Sequence, residues 1–152
     1  MNTFRATDYM GGCNGARIRA SPQNNWESNN GLDTAMELLQ PVKNKFGDSL
    51  SWADLIALSG TTFLEMASGK TIAFTGGRTD ADYQNTLPTP EYLQFRLSGG
   101  SPNDTIANME DAMFILGLTP REFVALVGGG HSLGTCTIHI RYIYILYTIL
   151  CL

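Results

Sequence analysis

In the stretch LVGGGHSLG, residues 126–134, three glycines run straight into His131. The residues ahead of it, TPREFVALV, are patterned as a helix. Glycine in a helix interior costs about 1 kcal/mol relative to alanine, so the triplet costs about 3 kcal/mol. Imidazole is the commonest metal-binding side chain. A helix surface stripped of side chains admits a large flat group, or a second helix, up to its backbone. A haem lying across that face, with the imidazole on its iron, satisfies both features. Tight helix–helix packing, or a glycine-rich helix end with His131 beyond it, uses the same residues. These readings stay open on the residues alone. Cys136 and His139 have a C-x-x-H spacing, but no second pair completes a zinc site.

Four helices are expected to position this chemistry. Leu32, Ala35, Met36 and Leu39 fall at helical spacing, with Asn29 and Asn30 in the cap region, and Pro41 is expected to kink or interrupt that helix before Phe46. SWADLIALSGTTFLEMASG reads as a second helix, with Ser51 and Asp54 resembling a capping box and Gly69 as its stop. Leu55, Leu58, Thr62, Phe63 and Met66 are expected to form its buried stripe. From Lys70 to Asn103 a long loop follows, in which KTIAF is the best strand candidate. A loop of that length in a compact domain is usually functional. NDTIANMEDAMFILG is the third helix, stopped by Gly117. The fourth has the cleanest start: Thr119 as cap, Pro120 at the first position and Glu122 closing a capping box. His131 then sits about three turns in.

The 152 residues suit one domain, and 43% hydrophobic with 16% charged residues is globular composition. A net charge of −4 argues against nucleic acid as a partner. Three cysteines, Cys13, Cys136 and Cys151, suit no disulfide framework, so a reducing compartment is the default, and MNTFRATDYM carries no secretory signal. The Asn103-Asp104-Thr105 sequon reads as chance. The division expected is a domain over residues 1–135 and an atypical hydrophobic tail over 136–152. The tail stretch IHIRYIYILYTILCL is shorter than the ~20 residues that span a bilayer. A tail anchor or a core strand is possible for it. A tail foreign to the domain is the leading reading, and a membrane is not expected as a partner.

The segment SNNGLDTAMELLQPVKNKFGDSLSWADLIALSGTTFLEMASG resembles the class I haem peroxidases of the plant-peroxidase superfamily. GLTPREFVALVGGGHSLG is similar to that family's proximal helix, and TFRATDYMGGCNGARIR to catalase-peroxidases, especially their second domain. That second domain characteristically lacks the haem histidine, whereas this chain has His131. The resemblance covers nearly all of residues 3–135. It implies a mainly α, partial haem-peroxidase fold: part of the distal domain plus the helix carrying the proximal haem ligand. It implies haem b as cofactor, with hydrogen peroxide and a small-molecule or protein electron donor as partners. His131 matches the axial iron ligand. Gly130 and Gly134 match small positions where the porphyrin packs. Leu133 is placed with them, and Leu87 and Pro88 match a haem-touching loop. Asn29 matches the asparagine that hydrogen-bonds the distal histidine and raises its basicity. Arg78-Thr79-Asp80 matches a structural segment, and Trp26 and Trp52 are read as packing.

The family splits peroxide with a distal histidine as base and a distal arginine that stabilises developing charge. Both would precede TFR and neither is in these residues; His139 matches no role. An aspartate that makes the proximal imidazole electron-rich would follow the last residue. The resemblance therefore implies a fragment with impaired peroxidase activity. A non-catalytic haem-binding or structural module, like the second domain of catalase-peroxidases, is the alternative. An incomplete product that does not fold alone is a third.

Overall fold

A computed structural model describes residues 6–7, 15–26, 29, 31–82 and 101–133, with His131 and Leu133 described by their helical backbone. Short 3-10 turns at Arg17–Arg19 and Gln23–Asn25 lead into α1, Leu32–Phe46. After a further 3-10 turn, Gly47–Ser49, come α2, Trp52–Ser68, then α3, Pro102–Leu116, and α4, Pro120–Leu133. The described part is mainly helical, as expected, and holds no strand. Leu87, Pro88, Gly134 and the 136–152 tail lie outside the described residues.

Helix α1 differs from expectation at both ends of the argument. Its cap is Gly31 at φ +85, a left-handed conformation suited to glycine, and no side chain caps the helix. Asn29 instead turns its amide to Gln23. Pro41 does not interrupt the helix, which continues to Phe46. The missing proline N–H removes one backbone bond. A side-chain bond from Gln40 Nε2 to Asn44 Oδ1, 2.7 Å, spans that position. Lys43 Nζ then donates to the carbonyls of Gly47 (2.7 Å) and Leu50 (2.6 Å), closing the helix end.

Helix α2 carries most of the core. Trp52, Ala53, Leu55, Ala57, Gly60 and Thr61 are buried, joined by Trp26, Ala112 and Phe123 from elsewhere. The expected stripe holds only at its start: Leu55 is 3% exposed, but Phe63 is 42% and Met66 83% exposed. Helical period names a face; it does not supply a neighbour to cover it. Both tryptophans are buried, Trp26 7% and Trp52 8% exposed.

The KTIAF stretch is not a strand. The Ile72 N–H goes to Glu65 Oε1 of α2 at 2.6 Å rather than into a ladder. Helix α3 begins at Pro102, one residue earlier than expected, because Ser101 is the cap and its Oγ accepts from Asp104 N at 3.2 Å. Gly117, at φ +69, closes it: Gly117 N–H reaches Phe114 O, 3.2 Å, and Leu118 N–H reaches Met113 O, 3.0 Å. Among the described residues no single helix is long and apolar enough to cross a membrane.

Candidate functional site

The start of α4 is fixed by its first four residues. Thr119 N donates to Glu122 Oε2 at 2.8 Å and Glu122 N donates to Thr119 Oγ1 at 3.3 Å, the reciprocal pair of a capping box. The Thr119 N–H and hydroxyl hold the Glu122 carboxyl below the usual carboxylate range. From that start the helix runs through Gly128, Gly129, Gly130 and His131 to Leu133. His131 is therefore inside the helix, which removes the arrangement with a helix end before it. A Cβ built on Gly128 or Gly129 meets nothing within 4 Å. No described helix packs onto that surface, so packing among the described residues does not explain why it is bare. Gly130 is buried. Ser132 Oγ returns to the Gly128 carbonyl at 2.9 Å, one turn back.

Asn29 sits in a separate place. It is 3% exposed, and its Nδ2 donates to the Gln23 carbonyl at 2.7 Å. It lines a cleft of about 740 Å³ with Arg19, Trp52 and the first turns of α1, including Asp33, Met36 and Glu37. The Arg19 guanidinium lies over the Trp52 ring, 5.8 Å from its centre. No residue of α4 is among those lining this cleft. The described residues thus place Asn29 and His131 on different elements. No group of three His, Cys, Asp or Glu side chains gathers among them to hold a metal ion.

A further cluster, which the sequence reading did not find, joins the start of α2 to residues 77–80. Asp54, in the first turn of α2, does not reach back to its cap residue. Ser51 Oγ accepts from Asp54 N at 3.0 Å, but the Asp54 carboxylate accepts from Gly77 N (2.7 Å), Arg78 N (3.2 Å) and Arg78 Nη1 (3.0 Å). Asp80 returns the contact: its carboxylate accepts from Trp52 N (3.1 Å) and Ala53 N (2.9 Å), the first two amides of α2. It also pairs with Arg19 at 3.5 Å. Burial pushes the Asp54 carboxyl up, but the Gly77 and Arg78 donors and the Arg78 charge outweigh it and hold it below the usual range. The structural role read for Arg78-Thr79-Asp80 holds; the partner Asp54 was missed. The legible signal was a Gly-Gly-Arg-x-Asp run behind a helix whose first turn holds an unanswered acid.

The peroxidase family model matches residues 3–146. This chain belongs to the peroxidase family. It is 34% identical over 163 residues to a catalase-peroxidase of Nocardia farcinica, covering 87% of this chain and 22% of that protein. A Synechococcus catalase-peroxidase is 34% identical over 165 residues, covering 88% of this chain and 23% of that protein. One from Francisella philomiragia is 35% identical over 161 residues, covering 87% of this chain and 22% of its own length. The chain thus spans about a fifth of the length of these relatives. Each matched span is longer than the 152 residues here, so the relatives carry insertions within the shared region.

Proposed function

We propose that this chain is a haem-binding part of a haem peroxidase, taking haem b, with hydrogen peroxide as oxidant and a small-molecule or protein electron donor. The observation that carries the reading is the open space at Gly128 and Gly129 of α4, three and two residues before His131, in a chain of the peroxidase family. A flat macrocycle fits a helix face on which a Cβ would meet nothing. Haem, when bound, supplies the iron centre through which peroxide is reduced and the donor oxidised.

The chain's own residues bind and orient. By the family match, His131 would hold the iron, Gly130 and Gly134 would leave room beside it, and Leu133, Leu87 and Pro88 would contact the macrocycle. Asn29 serves a distal imidazole. Its Nδ2 donates to the Gln23 carbonyl, and an amide oxygen that accepts from such an imidazole would hold it in one tautomer. The 152 residues hold two histidines, and only His131 falls within a family motif. With no distal base among them, this chain by itself is expected to bind haem and turn peroxide over weakly.

The test is a haem titration of the full chain beside His131→Ala, read by Soret and visible spectra. A one-to-one endpoint whose spectrum changes in the variant supports the reading; binding indifferent to His131 overturns it. Peroxidase turnover well above that of free haem would overturn the expectation of weak activity. The second reading is a non-catalytic haem-binding or structural module. Stoichiometric haem binding with no reaction toward peroxide selects it.

A further inference from the structure

Side chains four residues apart form a ridge along a helix. On α1 two neighbouring ridges are exposed from end to end: Thr34, Leu38, Val42 and Phe46 make one, and Asp33, Glu37, Pro41 and Lys45 the other. The first is apolar from Leu38 onward, and Leu38 is 75% exposed. The second carries two acids near its start and a base at its end. No ion pair among the described residues uses Asp33, Glu37 or Lys45. The Lys45 ammonium lies over the Phe46 ring, 5.7 Å from its centre.

We propose that this face takes a second copy of the chain, in an antiparallel pair of α1 helices about a two-fold axis level with Gln40. Such an axis reverses each ridge and keeps it on the same side, so every ridge lies beside its own reversed copy. Leu38 then comes level with Val42 of the partner subunit, and Phe46 with Thr34 of the partner subunit. On the other ridge, Lys45 comes level with Ala35 of the partner subunit, two residues from both Asp33 and Glu37. Two residues are about 3 Å of helix rise, within the span of a lysine side chain. The symmetry forms this contact twice. A parallel pair in register would set acid against acid and lysine against lysine. A face about 22 Å long and 10 Å wide covers less than the ~800 Å² per partner of a standard interface, so the dimer is weak and concentration-dependent. Asp33 and Glu37 also line the cleft that Asn29 lines. The dimer therefore sets a cation from the partner subunit at the rim of that cleft.

The experiment is sedimentation velocity on the full chain without haem, over a concentration series, with far-UV circular dichroism of each variant. Wild type is expected to form a closed dimer. Lys45→Glu alone sets like charges together at both contacts, and so does Asp33→Lys combined with Glu37→Lys. Each is expected to raise the dissociation constant about tenfold. Mixing the two variants restores opposite charges at both contacts, and the heterodimer is expected to return to within about threefold of wild type. Arg121→Glu, a charge reversal at an exposed position of α4, is expected to change nothing. A wild-type chain that stays monomeric at about 100 micromolar overturns the proposal. Association that neither reversal weakens also overturns it, because the contact then lies on another open face. A mixture that associates no more tightly than the two variants alone overturns the antiparallel pairing. Should a reversal lose its helix signal, Leu38→Glu decides: a dimer that survives it overturns the proposal.

Discussion

Asp54 completes only half of a capping box. Its own N–H is taken by Ser51, and its side chain serves a loop more than twenty residues away. Because its folded pKa lies below that of the unfolded chain, it stabilises the fold above the unfolded value near 3.8, and that contribution is lost as pH falls through the folded value. Urea midpoints of wild type and Asp54→Asn should therefore differ at pH 7 and converge below pH 4; parallel midpoints at both pH values would show that the carboxylate contributes nothing. Replacing the buried charge at pH 7 should cost about 1.5–3 kcal/mol, the range for hydrogen bonds to charged groups. None of this was legible locally. The acid is three residues after a serine, which is a box spacing, and its actual partners are set by tertiary folding.

At the scale of elements, the glycine helix makes an opposed pair of expectations. With nothing near a Cβ at Gly128 or Gly129, alanine at either position should stabilise the haem-free chain by about 1 kcal/mol through helix propensity. Gly130→Ala, beside the proposed iron ligand, should weaken haem binding. Thermal melts and haem titrations of the three variants check both statements, and a destabilised Gly129→Ala would mean that something else occupies that face. Thr119→Ala should cost about 1 kcal/mol by removing the α4 cap, measured by denaturant unfolding. The α4 start was legible because every residue of its box lies within four positions. The bare face was legible too, since absent side chains are visible in any sequence. The lower half of α2 was not: Phe63 and Met66 keep the period of Leu55, and the period is silent on cover. Nor was the passage of α1 through Pro41, which has the Gln40–Asn44 bond across it and the Lys43 closure after it.

Over the whole molecule, large apolar side chains stay open on every helix. Leu38, Val42 and Phe46 run at four-residue intervals along α1, none of whose residues is buried; Phe63 and Met66 are open on α2, Ile106 and Phe114 on α3, and Val124 on α4. Surfaces of this kind drive association. The 152-residue chain in isolation is expected to self-associate at micromolar concentration, and Leu38→Gln with Phe114→Gln should shift it toward monomer. Sedimentation velocity reads this directly; a wild-type chain that stays monomeric would show that these faces are covered in solution.

The exchange of carboxylates between residues 54 and 80 also imposes an order in time. The first two amides of α2 find their acceptor 28 and 27 residues downstream. During synthesis from the N-terminus, α2 is therefore complete in sequence well before its own beginning can be capped. Until Asp80 has left the ribosome, the helix that supplies most of the core is held at that end by Ser51 alone.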